Sequence, residues 1–536
     1  MHSIVITGGT LFDGTGDPAK PVDLTIDGSR ISGIKKRGDA RGSINIDASD
    51  MIVCPGFVDI HTHSDISLLG NPQAHSKIMQ GVTTELVGNC GSSAAPLGGT
   101  AKDSFLDYAR ELCIDINWTS MDEYLLRLQD LRVSVNVATL VGAETVRRCV
   151  IGEADRKADF EELQAMKRLV AESMLQGAFG LSSGLIYAPG MYASTEELIE
   201  LAGVASSLGG FYASHIRGEG RTLEEAVSEA IRIGRESNIR VEISHHKACG
   251  RPNWGKVKRT IQMIDTARTE GIDVGFDVYP YTASCTSLDT ILPPWAREGG
   301  KEDIMRRIRD PELRRRIVSE LEIPSEDWEN SVPDTGWENI VAIDIKKGEN
   351  KRYDNRPISE IARMMGKEPA EAAMDLMADE QLTVSAVFHD MTEEDVETVL
   401  SHPLSCIGSD GSSVSPYGPM GESGLHPRSY GTFPRVLREY VLGKKIVSME
   451  EAVRKMTSLP AQRIGLSDRG LLAKGMAADV VVLDPAAIKD NATYSSPHQL
   501  PEGVRYVLVN GIMTVDDGKH TKERAGQVLR HRTNIA

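Results

Sequence analysis

His61 and His63 stand two residues apart, directly after the apolar run Pro55-Gly-Phe-Val-Asp-Ile60. In an extended strand, residues i and i+2 project from one face. Two imidazoles at the end of such a run therefore form half of a metal site, although an HxH pair alone has little specificity. Four more residues of ligand type end other apolar runs: Cys90 in Gly-Asn-Cys-Gly, His215 in Ala-Ser-His-Ile-Arg, His245 in Ile-Ser-His-His-Lys and Asp410 in Ile-Gly-Ser-Asp-Gly. A lone histidine is more often a satisfied structural residue, and a lone cysteine a small buried hydrophobe. Six N, S and O donors at five strand ends point instead to a metal centre, and this donor mixture suits Zn²⁺. His246 follows the same run as His245, but alternation turns it to the opposite face.

Zinc held there lowers the pKa of a bound water to about 7 and polarises a carbonyl. Asp410 is the natural general base: it takes the proton of the attacking water and delivers it to a leaving amine nitrogen. Lys247 alternates onto the face of His245, and Arg428 follows Asp410 across a Gly/Ser/Pro-rich loop. A Lys charge and an Arg fork together suit a carboxylate. Tyr279 and Tyr281 share a face, and either is a candidate contact. Tyr187 is a candidate for a side-chain pocket. Asp65, two residues past His63, either orients a ligand or caps a loop.

Parallel strands have to position these residues. Apolar runs at 58–60, 83–88, 134–141, 178–183, 211–214, 241–244, 274–279 and 406–409 alternate with long amphipathic segments, the pattern of a parallel sheet covered on both faces. Ser194-Thr-Glu-Glu197 and Thr222-Leu-Glu-Glu225 read as capping boxes that open two of the helices. Eight strands in this alternation is the count of an α/β (β/α)8 TIM-like barrel, whose active site gathers residues from the C-terminal ends of several strands. A ninth run, 383–388, falls in the stretch 293–402, which interrupts the alternation and reads as an insertion before the last barrel strand, either a lid or a solvated excursion. Short β-type runs occupy both ends of the chain. The expected division is a small β-sandwich domain from residues 1–54 and 466–536, and a barrel from 55–465.

Composition narrows the partners. Of 536 residues, 40% are hydrophobic and 26% charged, an ordinary globular balance. Sixty basic against 77 acidic residues leave a net charge of −17, which argues against a coat on nucleic acid or an anionic membrane. A small anionic substrate is compatible with it, because a local basic cluster overrides the global field. Seven scattered cysteines without a CxxC fit reduced thiols in the cytoplasm. No basic-then-apolar leader opens the sequence, and no apolar run approaches the roughly 20 residues of a membrane span.

These residues also carry a resemblance to the amidohydrolase superfamily, and within it to the D-aminoacylase (N-acyl-D-amino-acid deacylase) family. The superfamily likeness runs from Ile4-Val-Ile-Thr-Gly-Gly-Thr-Leu-Phe-Asp-Gly-Thr-Gly through Pro55-Gly-Phe-Val-Asp-Ile-His-Thr-His-Ser-Asp65, and resumes at Gly470-Leu-Leu-Ala-Lys-Gly-Met-Ala-Ala-Asp-Val-Val-Val-Leu-Asp484. The narrower likeness rests on Gly88-Asn-Cys-Gly91, Ser214-His-Ile-Arg217, Ile243-Ser-His-His-Lys247, Asp277-Val-Tyr-Pro-Tyr281, Gly408-Ser-Asp-Gly411 and His426-Pro-Arg-Ser-Tyr-Gly-Thr-Phe-Pro-Arg435. It implies hydrolysis of N-acyl-D-amino acids. It also implies one tightly held Zn²⁺ on Cys90, His215 and His245 and a second, weaker position on His61, His63 and Asp410. It further implies that Lys247 and Arg428 hold the substrate's α-carboxylate and that Tyr279 and Ser284 make further substrate contacts. Two alternatives share the superfamily: a dipeptidase-like enzyme with the same carboxylate clamp, and a cyclic amidase of hydantoinase or dihydroorotase type. The latter expects a carboxylated lysine where this sequence has Cys90.

Overall fold

The computed structural model describes residues 2–346 and 348–532. Its centre is built from parallel strands in chain order: β1 Phe57–Asp59, β2 Val82–Val87, β3 Asn136–Thr139, β4 Gly180–Gly184, β5 Phe211–His215, β6 Arg240–Ile243, β7 Val274–Val278 and β8 Ser405–Ile407. They fall into two sheets. One holds β1, β2 and β3; the other holds Val141–Gly142, which continues β3, followed by β4 to β8. The run 134–141 is thus interrupted at Leu140, where hydrogen bonds from Leu140 N to Val87 O (2.9 Å) and from Phe179 N to Thr139 O (2.8 Å) continue the ladder. At the other edges, the segments just after β1 and β8 meet: Asp410 N donates to His61 O (2.8 Å) and His63 N to Gly411 O (3.1 Å).

Helices separate most of these strands, and their N-termini follow from sequence. Asp159 and Glu162 form a reciprocal capping box at Phe160–Leu175, and Ser194 accepts from Glu197 N at the start of Thr195–Ser207. Thr222 departs from expectation. Its backbone sits at φ −99°, ψ 24°, outside the extended region a capping side chain needs, and its hydroxyl makes no cap bond to Leu223–Ser237.

Between β7 and β8 the chain leaves the parallel sheets. An antiparallel sheet in the order Ser284–Ser287, Ser385–Phe388, Ile340–Ile343, Arg356–Pro357 carries its own helices and a separate core that includes Leu288, Ile308, Leu376 and Phe388. The run 383–388 belongs here. The excursion therefore spans 284–388 rather than 293–402. Its two ends pair with each other, Ser284 opposite Phe388, whereas Glu393–Ser401 packs against Val257–Thr269, β7 and β8. The half-buried polar strand Ser284–Ser287 has no apolar alternation to reveal it.

The chain ends combine in two further sheets. Arg30–Lys36, Val22–Asp27, His2–Thr7 and Gly42–Asp47 form one. In the other, Ile52–Pro55 lies antiparallel to Val480–Leu483, with Cys54 opposite Val481. Ile6, Leu24, Ile26, Val53, Val480 and Leu508 share one buried cluster between them. The last segment departs from the expected division at 466: Leu529 N donates to Val137 O (2.7 Å) and His531 N to Gly177 O (3.0 Å), which ties it to β3 and the turn before β4. All seven cysteines are free. Among the described residues, no helix is long and apolar enough to cross a membrane.

Candidate metal centre and active site

The six ligand-type residues converge where the parallel strands end. Cys90 Sγ lies 3.3 Å from His61 Nε2 and 3.7 Å from His245 Nε2. Asp410 Oδ1 lies 3.4 Å from His61 Nε2 and 3.0 Å from His63 Nε2. One donor atom each of His61, Cys90, His245 and Asp410 falls within 4.8 Å of the others, and His215, Glu219 and His245 form a second such group. The His215 and His245 rings meet edge to face at 4.4 Å. Five of the six are buried, and the side chain of His63 retains 35% of its exposure.

Three of these residues hold backbone conformations that side chains avoid: φ is +49° at Cys90, +36° at His245 and +50° at Asp410. Left-handed φ at a residue with a side chain costs about 1–3 kcal/mol and collects at functional sites, where the surrounding structure imposes it. Each lies two or three residues past a strand end, in the turns after β2, β6 and β8, where these conformations turn the donors toward one another.

Neighbouring carboxylates fix the rings. Asp277, on β7, takes His61 Nδ1 on one oxygen (3.2 Å) and His245 N on the other (2.9 Å). Glu219 Oε1 lies 3.0 Å from His245 Nδ1 and 2.5 Å from Lys247 Nζ. Carboxylates behind ligand imidazoles set tautomer and orientation. Burial and Lys247 pull Glu219 in opposite directions. The ammonium and the two histidines win, and hold the carboxyl well below the usual range. Asp410 is likewise held well below it, because Arg428 and the histidines outweigh burial. Burial alone would raise the Cys90 thiol, but His61, His215 and His245 bring it well below its ordinary value.

The donors fit a zinc ion. Both ring nitrogens of His215 are buried and, among the described residues, have no hydrogen-bond partner. Burial also keeps that ring below its ordinary pKa, hence neutral and free to ligate. A neutral imidazole with unpaired nitrogens, beside a thiol of lowered pKa and a second imidazole, is an arrangement that a metal completes.

The predicted substrate residues surround this centre. Lys247 is buried against Glu219, with Nζ also 2.7 Å from His245 Nδ1. Arg428 Nη1 lies 2.8 Å from Asp410 Oδ2 without an aligned hydrogen bond, while its Nη2 donates to Cys285 O (3.1 Å), so the Nη1 donors stay available. Tyr279 faces the centre, its ring 5.0 Å from the Arg428 guanidinium and 5.6 Å from Lys247 Nζ. Tyr281 packs instead on His426 and Tyr494, because β7 ends at Val278 and the turn at Pro280 breaks the shared face. Tyr187 packs on His215 at 5.1 Å and receives a hydrogen bond from Thr286 Oγ1. Ser284 lines a cavity of about 600 Å³ that opens between the strand ends and the excursion 284–388. His246 turns away to Thr260 Oγ1 (2.9 Å). Asp65 orients no ligand ring: its carboxylate takes the backbone N–H of Gly88 and Ala94 and so anchors the Cys90 loop.

The amidohydrolase family model matches residues 45–515. This chain belongs to the amidohydrolase family. It is 36% identical to a D-aminoacylase of Alcaligenes xylosoxydans xylosoxydans over 98% of this chain and 97% of that protein. An N-acyl-D-aspartate deacylase of the same organism is 35% identical over 98% and 94%. The structure of N-acyl-D-glutamate deacylase from Bordetella bronchiseptica, solved with zinc and a phosphonate mimic of the tetrahedral intermediate, superposes with a TM-score of 0.81 at 32% identity, over 99% of this chain and 100% of that one. In this amidohydrolase, sequence reasoning left Glu219 and Asp277 without a role. Asp277 carried a signal, since it stands in β7 two residues before Tyr279. Glu219 lies on a loop, where only the fold brings it to His245.

Proposed function

We propose that this amidohydrolase cleaves the amide bond of N-acyl-D-amino acids in a zinc-dependent hydrolysis, giving a carboxylate and a free D-amino acid. One observation carries the reading: Asp410, the candidate base, sits between the ligand cluster and Arg428, with Lys247 on the other side of His245. Proton transfer and a carboxylate clamp therefore meet in one site. Cys90, His215 and His245 would hold a zinc ion, which when bound would polarise the scissile carbonyl and acidify water; His61, His63 and Asp410 would make a second, weaker position. Asp410 accepts the proton of the attacking water and passes it to the leaving nitrogen as the C–N bond breaks. Arg428 and Lys247 bind the α-carboxylate, and Tyr279 and Ser284 complete its cradle.

The architecture that supports this site is one (β/α)8 barrel, formed by both parallel sheets through the contacts around Leu140 and between His61 and Asp410. Beside it stand a small β-domain from both chain ends and the inserted unit 284–388.

The decisive test compares N-acetyl D- and L-amino acids with zinc-loaded protein. D-selective turnover is expected, with Asp410→Asn lowering kcat about 10²–10⁴-fold. Hydantoin opening without amide hydrolysis would establish the cyclic-amidase alternative, and unimpaired Asp410→Asn would remove the assigned base.

A further inference from the structure

The cavity beside the metal centre has a charge pattern that bears on the substrate's side chain. It adjoins the centre at Glu219 and Ser284, and apolar walls come from Leu185, Ile186, Trp328 and Phe388. Three carboxylates line it: the buried Glu219 and Asp390 and the half-buried Glu329. Lys247 is ion-paired with Glu219. Among the described residues, Glu329 accepts only backbone N–H groups, from Glu219 (2.9 Å) and Gly220 (3.4 Å). Asp390 is 4% exposed, and its Oδ1 has no hydrogen-bond partner among the described residues.

Of the two arginines of the lining, Arg217 is saturated, whereas Arg297 makes one carbonyl contact and its Nε has no hydrogen-bond partner among the described residues. Arg217 is held by both oxygens of Glu229 (2.9 Å each) and by the carbonyls of Met191 and Ala193, and Arg297 Nη1 donates to Ile186 O (2.7 Å). Glu225, Glu326 and Asp327 add further negative charge to the lining. The lining's carboxylates outnumber Arg297, its one cation without a carboxylate partner among the described residues, and a cationic side chain entering here meets an unpaired buried acceptor at Asp390. The apolar walls suit the methylene stem of a long basic side chain.

We propose that the enzyme's preferred substrates are N-acyl-D-amino acids with a basic side chain of the lysine or arginine kind. The cation lies against Asp390 and Glu329, and the acidic side chains named for its relatives are disfavoured. The inference rests on the amide-hydrolase reading above.

The test measures kcat/KM of zinc-loaded, full-length protein on N-acetyl-D-lysine, N-acetyl-D-arginine, the uncharged near-isostere N-acetyl-D-norleucine, and N-acetyl-D-glutamate. A charged hydrogen bond in a desolvated site is worth about 1.5–3 kcal/mol, roughly ten- to a hundredfold. The basic substrates should therefore exceed norleucine by about tenfold or more, and glutamate by a wider margin. Asp390→Asn and, separately, Glu329→Gln should each lower the lysine-to-norleucine ratio about tenfold. Norleucine or glutamate turned over as well as lysine would overturn the inference and leave amide hydrolysis standing. A ratio unmoved in both variants would also overturn it, even with lysine preferred. Turnover of no N-acetyl-D-amino acid would overturn both readings.

Discussion

At the scale of single residues, the site is a set of carboxylates with opposed environments. Asp410 and Glu219 are buried beside cations and ionise readily; Glu144 is buried where the Arg148 charge does not offset the loss of water. Its Oε1 accepts Gly184 N (2.7 Å), its Oε2 has no partner among the described residues, and burial raises its pKa to about 7. The unfolded chain releases this proton near 4.5, whereas the folded protein keeps it to about 7. The folded state thus binds more protons between those values, and stability falls as pH rises through that window, then levels off. The full difference is on the order of 3 kcal/mol. Glu144→Gln, which cannot ionise, should remove this slope. Its thermal midpoint relative to wild type should rise from pH 5 to pH 8, and a constant difference across that range would refute the assignment.

At the scale of elements, the turns after the strands carry the candidate donors. Gly91 follows the left-handed Cys90 at φ +73°, and a Cβ there would stand 1.3 Å from Glu144 Oε2. Glu144 cannot yield freely, because it is tied to Gly184 N at the end of β4. Gly91→Ala should cost about 2–4 kcal/mol, combining overpacking with backbone strain, and should reduce bound zinc by displacing Cys90. Gly98→Ala, where a Cβ meets nothing nearer than 3.6 Å, is the control. Urea unfolding with metal analysis separates the two, and equal behaviour would count against the role given to this turn.

At the scale of the whole molecule, one buried ion pair joins the first and last parallel strands. Lys77 Nζ binds Asp59 Oδ2 (2.7 Å), Ser409 Oγ (2.5 Å) and Gly411 O (3.2 Å), while Asp59 Oδ1 accepts Ser409 N (2.8 Å). Lys and Asp are fully buried. Removing one partner of such a pair strands a charge and costs about 3–5 kcal/mol, whereas replacing both with apolar residues is often near neutral. Lys77→Met should therefore destabilise strongly, and Lys77→Met with Asp59→Leu should recover much of the loss. A double variant as unstable as the sum of the singles would show that the two act independently.

Much of this was legible in the chain itself. The candidate donors His61, His63, Cys90, His215, His245 and Asp410 stand out because each ends an apolar run, and run ends are read locally from hydrophobic pattern. The family likeness rests on the same motifs, and the family model matches 45–515. Contacts set by distant segments were not legible. Only the folded chain brings Glu219 to His245, turns Tyr281 away from Tyr279, joins Ser284–Ser287 to Ser385–Phe388, and returns 525–531 to β3. Periodicity records which face of an element is buried; it carries no information about what lies across the gap. Nor does it register the left-handed turns at Cys90, His245 and Asp410, where alternation ends and the donors are aimed. The sequence thus determined which chemical groups the candidate site contains, and the tertiary structure decided which of them touch, because contact depends on loops and pairings tens to hundreds of residues apart.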